Sequence, residues 1–152
     1  MIKILQVKPK TFKIGSWLIM KNQKTDYSHY VIKVESSKRA RYFDSTFKSG
    51  VRRYAEREFR SEYDTVHSFT LPVRPQKSYE ILSWLIAQEG KKYGIFQLIG
   101  IALNISLFRN GSKQVICNEL VLRLLNEIYD AKIGNVDMMD LIDTEFHVKR
   151  FI

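Results

Sequence analysis

The single cysteine of the chain, Cys117, stands at the predicted start of a helix. Apolar residues recur at helical spacing through residues 118–129, and the segment ends near Gly134. A thiol at a helix N-terminus lies near unpaired backbone N–H groups and the positive end of the helix dipole, which favour the thiolate. Positions 117, 120, 121 and 124 share one face, so Cys117 is expected to point towards the packed side of the helix. A buried structural cysteine is the alternative, because Cys also packs as a small hydrophobic residue.

A nucleophilic thiol needs a base, and the chain offers three histidines, His29, His67 and His147. His29 begins a predicted strand beside the polar stretch 25–28, a position that suits a partly exposed imidazole. His67 lies within a predicted strand, and His147 lies near the end of the chain. For each of the three, a structural or surface role is the alternative.

The base in turn needs a group that orients its ring, and Asp44 is the candidate. Residues 36–38 form a polar turn between two predicted strands. Counting outward from residue 37 places residue 45 opposite residue 29, so Asp44 or Ser45 is expected close to His29. Asp44 is the only acid within reach on that strand. The hairpin therefore predicts a constellation of thiol, imidazole and carboxylate at Cys117, His29 and Asp44.

The elements that must position these residues divide into two halves. Strands are predicted in the first half, at residues 16–20, 29–35, 39–43 and 65–73, with turns at 36–38 and 44–50. A helix is expected from Pro75 to Gly90, with one apolar face formed by Tyr79, Leu82, Leu85 and Ile86. Further predicted elements are a buried helix at 94–107, the helix at 118–129, a short helix at 137–143 and a terminal strand at 148–152. Strands followed by helices predict an α+β fold, an antiparallel sheet packed against helices, with residues 1–152 as one domain.

Composition and charge narrow the classes of protein. The chain has 152 residues, of which 45% are hydrophobic, so a real core is expected and disorder is excluded. One cysteine excludes an internal disulfide and a multi-Cys zinc site, and the scattered histidines lack the spacing of metal ligands. No metal and no cofactor is therefore expected.

The net charge of +9 is concentrated in residues 1–60, which hold 15 basic and 5 acidic groups. Such a half predicts contact with nucleic acid, anionic lipid or a cell-wall polymer, or else forms a solvated basic surface. Basic and aromatic residues interleave as in single-strand binders at Arg39, Arg41, Tyr42, Arg52, Arg53, Tyr54, Arg57 and Arg60. No signature of an RNA- or DNA-binding fold accompanies them, and residues 52–60 also fit a solvated helix face.

Several short stretches together resemble one enzyme family, the circularly permuted branch of the NlpC-like, papain-like cysteine hydrolases. The YiiX/YebB-type and lecithin-retinol-acyltransferase-like proteins belong to that branch. The matching stretches are 15–19 (an opening strand), 28–32 (the strand bearing the base), 42–45 with 50–51 (the strand bearing the acid), 90–94 and 115–121 (the helix start bearing the nucleophile). The resemblance runs from about residue 12 to residue 145. The chain departs from the family pattern with Ser16 for Asp, Asp44 for Glu, Tyr30-Val31 for Val-Gly, Asn118 for Ser and Gly94 for Asp.

The resemblance implies a papain-like permuted fold and a cysteine peptidase or amidase. Cys117 would be the nucleophile, His29 the base and Asp44 the third polar member. Tyr93 and the backbone N–H of Cys117 would form the oxyanion site. Substrates would be peptidoglycan peptide bonds or other amides, and a lipid or small-molecule acyl ester hydrolase or acyltransferase of the same fold is the alternative. A non-enzymatic nucleic-acid-binding protein or a catalytically dead scaffold also remains open.

The start of the chain lacks the apolar stretch and cleavage site of a secretory signal, which predicts a cytoplasmic location, with a phage-encoded or virion-delivered enzyme as one case. The longest apolar stretch, residues 95–108, is shorter than the roughly 20 residues that span a bilayer, so no transmembrane segment is expected.

Overall fold

The computed structural model describes residues 1–36, 39–71, 73–92 and 117–129. In chain order, its elements are β1 (Ile2–Pro9), α1 (Ile14–Gln23), β2 (His29–Glu35), β3 (Ala40–Thr46), β4 (Gly50–Ala55), α2 (Glu56–Glu62), β5 (Tyr63–Leu71), α3 (Pro75–Gln88) and α4 (Cys117–Tyr129). The predicted segments 94–107, 137–143 and 148–152 lie outside the described residues, as does Gly134.

The five described strands form one antiparallel sheet in the order β4-β3-β2-β1-β5. Strand β1, which the sequence analysis did not predict, pairs with β2 on one side and β5 on the other. Its residues Ile2, Ile4, Leu5 and Val7 are all buried, because elements cover both faces of the sheet. A strand that is buried on both faces lacks the alternation by which half-exposed strands are recognised. The α+β class, with an antiparallel sheet packed against helices, is confirmed.

Side chains alternate between two apolar clusters on the two faces of the sheet. Ile32 and Phe43 belong to the larger cluster, which also holds Ile81 and Leu85 of α3 and most of the buried side chains of α4. Val31 and Tyr42 belong to the smaller cluster, in which Phe59 of α2 packs. The sheet is thus the middle layer of the described structure, and strand period 2 decides which cluster each residue joins.

The first predicted strand is wrong, since residues 16–20 lie in helix α1. A short apolar run fits a strand or a helix equally well. In α1, Ile14, Trp17 and Leu18 stand three and four residues apart, which is helical spacing. The helix ends at Lys24, whose left-handed backbone allows its N–H to bond to the carbonyl of Met20.

Two further boundaries differ from the prediction. Strand β3 continues through Thr46, so the predicted turn at 44–50 contracts to residues 47–49. Residues 52–60 are divided between β4 and α2 and do not form a single solvated helix face. The hairpin between β3 and β4 explains both differences, because its ladder runs from Thr46 paired with Gly50 to Arg41 paired with Ala55.

Helix α3 begins at Pro75 as predicted, and two of the four residues of its predicted face, Leu82 and Leu85, pack on the core. Its buried residues are Ile81, Leu85 and Gln88, whereas Tyr79 is 74% exposed and Ile86 is also exposed. The buried residues stand at i, i+4 and i+7, a narrower stripe than the one predicted. After the helix, backbone hydrogen bonds join Val51 to Lys91 and Gly90 to Val51, so the chain following α3 lies along β4.

Among the described residues, no helix is long and apolar enough to cross a membrane.

Candidate active site

His29 and Asp44 meet on the face of the sheet that holds the smaller cluster. His29 is the first residue of β2, and Asp44 lies in β3 with its side chain fully buried. The His29 Nε2 atom lies 3.2 Å from the Asp44 Oδ2 atom. The ladder pairs Ile32 with Phe43, one residue away from the register that counting predicted. A one-residue slip changes the face of every side chain, and the observed register places Asp44 on the same face as His29.

The Asp44 carboxylate is held by three other side chains besides the imidazole. Arg52 donates from Nε to Oδ1 at 2.8 Å and from its terminal nitrogen to Oδ2 at 3.2 Å. The Tyr54 hydroxyl donates to Oδ2 at 2.9 Å, and the Tyr63 hydroxyl does so at 3.4 Å. Burial alone would raise the pKa of Asp44, but the hydrogen bonds and positive charges of His29 and Arg52 hold it below its usual value. The carboxyl group is therefore ionised and fixed in position.

Arg52 is a site residue that the sequence analysis placed only within a basic run. It stands directly opposite Asp44 in the β3–β4 ladder, and its guanidinium lies 4.4 Å from the centre of the Tyr54 ring. It also binds Glu62 of α2 through contacts of 2.7 and 3.1 Å. The signal that could have found it is the hairpin itself, because a turn at 47–49 sets residue 52 against residue 44.

The imidazole of His29 is packed as well as hydrogen-bonded. Its ring stacks on that of Tyr63 with centres 5.4 Å apart and planes 20° apart, and 12% of its side chain is exposed. Burial lowers the pKa of His29, but the charge interaction with Cys117, the hydrogen bond to Asp44 and a hydrogen bond to Cys117 outweigh it and raise the pKa to about 10. The ring is therefore held as an imidazolium.

Cys117 is the first residue of α4, and its side chain is buried. Leu120, Val121 and Leu124 are buried with it, so this face of the helix is packed as the spacing predicted. Helix α4 packs on β2 and β3 from the side of the larger cluster. The thiol reaches the imidazole where the first residue of the helix meets the first residue of β2, and the two side chains form a hydrogen bond. Since Nε2 faces Asp44, the imidazole has Nδ1 left for the thiol.

The structure thus brings Cys117, His29 and Asp44 together in that order. A thiol beside an imidazole, with a carboxylate on the far ring nitrogen, can form a thiolate–imidazolium pair and attack an electrophilic carbonyl. The backbone N–H of Cys117 lies in the first turn of α4, where N–H groups have no partner within the helix.

The other candidate residues lie elsewhere. Tyr93 and His147 are outside the described residues. His67 is exposed on β5, and its Nε2 lies 3.6 Å from Asp26. It has no place in the constellation.

The interleaved basic and aromatic residues do not form the stacking surface that the nucleic-acid alternative requires. Tyr42 and Tyr54 are buried, and Tyr42 stacks on Phe59 with ring centres 4.4 Å apart. Base stacking needs an exposed aromatic face. Arg52 is occupied by carboxylates, and Arg60 pairs with Glu56.

The residues that the structure describes contain no group of three or more side chains suited to binding a metal ion. Comparisons with models of protein families and with curated proteins gave no match for the chain.

Proposed function

We propose that the protein is a cysteine hydrolase that cleaves an amide or ester bond through a thioester intermediate on Cys117. The observation that carries the proposal is the contact of the Cys117 thiol with an imidazole whose other nitrogen is held by a buried carboxylate. A structural cysteine needs only apolar neighbours, and this one has an ionised polar partner in addition. The buried, multiply bonded Asp44 further supports a role for His29 as a positioned base.

In the proposed reaction, Nδ1 of His29 holds the proton from the Cys117 thiol, and the thiolate attacks the carbonyl carbon of the substrate. A carbon–sulfur bond forms, and the carbonyl oxygen becomes an oxyanion. The imidazolium then gives its proton to the leaving nitrogen or oxygen as the bond to carbon breaks. Water, losing a proton to His29, attacks the thioester and releases the acid and the thiol. Asp44 stays ionised throughout and stabilises the imidazolium.

The backbone N–H of Cys117 is proposed to donate to the oxyanion, a contribution that is typically about 3 kcal/mol for one such donor. By the resemblance to the permuted NlpC-like family, the side chain of Tyr93 would supply a second donor.

We further propose the permuted papain-like fold. The order along the chain supports it: a strand bearing the base, a strand bearing the acid, then a helix with the nucleophile as its first residue. The opening stretch at 15–19 gives no support, because it lies in α1 and not in a strand.

A peptide amide, as in peptidoglycan, is the first substrate to test, and a lipid acyl ester is the second. Release of amino groups from purified peptidoglycan and release of fatty acid from phospholipid vesicles would be measured side by side. Cys117→Ala and His29→Ala should each abolish turnover while the circular dichroism spectrum stays unchanged. His67→Ala is the matched control, since His67 is exposed and outside the site. Full activity of Cys117→Ala or His29→Ala would refute the proposed mechanism.

A further inference from the structure

Helix α1 carries its largest apolar side chains on the outside. Ile14, Trp17 and Leu18 are 70%, 43% and 42% exposed, and their spacing of three and four residues places them in one stripe. Phe12, which precedes the helix, is 79% exposed. Together these four residues form the outer stripe of α1. Apolar residues at helical spacing usually face a core, and here they face away from it.

The contact between α1 and the core is small. Among the residues of the helix whose burial the structure describes, Ile19 is the one that is buried. A helix of 10 residues is marginal by itself, because helices of this length depend on burying an apolar face. The outer stripe is the larger apolar face of α1, so its burial against something else would stabilise the helix.

The charges around the outer stripe indicate what that partner is. Residues 1–25 contain six lysines and no acidic residue, and two of the six, Lys3 and Lys10, pair with Glu35 and Asp64. Lys13 lies beside the stripe, Lys21 places its ammonium 4.9 Å from the centre of the Trp17 ring, and Lys24 ends the helix. Large apolar side chains surrounded by lysines match the surface of an anionic bilayer, where the former enter the interface and the latter reach the phosphates.

We propose that the outer stripe of α1 docks on the surface of an anionic phospholipid bilayer. Trp and Phe favour the headgroup region, and the lysine stems can lie along apolar surface while their ammonium groups face lipid phosphate. A peptide partner would need carboxylates placed to match Lys13, Lys21 and Lys24, whereas the phosphates of an anionic bilayer match all three at once.

Lys13, which lies between Phe12 and Ile14 of the outer stripe along the chain, places its side chain near the candidate active site. The ammonium of Lys13 is 5.9 Å from the centre of the Tyr63 ring, and that ring stacks on His29. Docking through α1 would thus hold the site beside the bilayer. If the proposed function is correct, this placement deepens it by favouring an acyl ester of a membrane lipid as substrate.

Sedimentation of the full chain with vesicles tests the proposal. Binding is expected to vesicles of phosphatidylcholine mixed with phosphatidylserine, and to weaken as salt is added. The chain has two tryptophans, so Trp84→Phe leaves Trp17 as the emitter, and its emission should shift to shorter wavelength on binding. Trp17→Ser combined with Leu18→Ser should weaken binding by about tenfold or more.

The matched control is Tyr79→Ser combined with Ile86→Ser, which removes two exposed apolar side chains from α3. This control should bind as the wild type does. Equal weakening in both pairs of variants, no binding to the vesicles that contain phosphatidylserine, or dimers that depend on Trp17 without lipid would overturn the proposal. Cys117→Ala should bind vesicles normally, which separates a failure of docking from a failure of the proposed catalysis.

Discussion

Asp44 and Arg52 lie directly opposite each other on β3 and β4, and the guanidinium bonds to both carboxylate oxygens of the fully buried Asp44. The Oδ2 atom of the same carboxylate lies 3.2 Å from Nε2 of His29. Arg52 therefore holds the Asp44 carboxylate in position, and this carboxylate in turn orients the imidazole of His29. This pairing connects the stability of the β3–β4 hairpin to the orientation of the imidazole.

Arg52→Ala should destabilise the protein by about 3 kcal/mol, because it leaves a buried carboxylate without its guanidinium. The free energy of unfolding would be measured by urea denaturation. Arg53→Ala is the matched control: Arg53 is the next residue along β4 and forms a more exposed pair with Glu89. Its loss should cost less than about 1 kcal/mol. Equal costs for the two variants would contradict a special role for Arg52.

The tyrosine hydroxyls on Asp44 should differ in their contributions. Tyr54→Phe removes a hydrogen bond of 2.9 Å to the carboxylate and should destabilise the protein by about 1.5–3 kcal/mol. Tyr63→Phe removes one of 3.4 Å and keeps the ring that stacks on His29, so its cost should be smaller. Urea denaturation ranks the two variants by their free energy of unfolding. The reverse order would show that the distance from each hydroxyl to the carboxylate does not reflect the strength of its hydrogen bond.

Alkylation of Cys117 at mildly acidic pH should be fast in the wild type and much slower in His29→Ala. Below the ordinary histidine pKa of 6.5, His29 is an imidazolium, and a neighbouring cation favours the reactive thiolate. Intact mass reports the labelling directly, since the chain has one cysteine. His67→Ala is the control and should label as the wild type does. Slow labelling of the wild type, unchanged by His29→Ala, would identify Cys117 as a structural cysteine.

The local elements were predictable where the pattern was strong. Strand β2 has the predicted bounds because its β-branched and aromatic residues form a continuous run. Helix α4 was predicted from long apolar periodicity, which also placed Cys117 on the packed face. Helix α1 was predicted as a strand because its apolar run is short and the side chains of its outer stripe are exposed, not packed in the core.

The partners of Asp44 depend on pairing across the chain, which local patterns do not contain. Arg52 becomes visible only when the turn at 47–49 sets the β3–β4 register. Tyr63 reaches the site because β5 pairs with β1, a strand near the other end of the described sheet from β4. Contacts between distant segments follow from the order of the strands in the sheet. Strand β1 joins β2 to β5, and because β1 was not predicted, the place of Tyr63 could not be predicted either.

The contribution of His29 to stability should fall as the pH rises. Its pKa in the folded state is about 10, above the ordinary 6.5, so the folded state binds this proton more tightly than the unfolded state does. The contribution is complete below pH 6.5 and is lost as the pH rises towards 10. The difference in unfolding free energy between wild type and His29→Gln should therefore shrink across this window, measured by urea denaturation at a series of pH values.

Two variants check the cause of this pH dependence. Cys117→Ala removes the charge interaction that does most to raise the pKa of His29. In this variant, the contribution of His29 to stability should therefore be lost at a pH closer to neutral. His67→Gln, which removes an exposed histidine outside the site, is the control for the substitution itself. If the contribution of His29 to the unfolding free energy were lost over the same pH range in Cys117→Ala as in the wild type, the thiolate–imidazolium pair would be contradicted.

Gly50 begins β4 with a φ of +66°, and a Cβ atom placed there would overlap the carbonyl oxygen of Lys91. Gly50→Ala should therefore destabilise the protein by about 2 kcal/mol or more, because the strained φ and the backbone overlap act together. Gly15→Ala is the matched control: nothing lies within 4 Å of the added Cβ, and Ala should favour helix α1 by about 0.5–1 kcal/mol. Thermal unfolding of the two variants tests whether Gly50→Ala lowers the stability and Gly15→Ala raises it. If Gly50→Ala unfolded like the wild type, the chain after α3 could not lie against β4 as described, and the support of the hairpin that carries Arg52 would have to come from elsewhere.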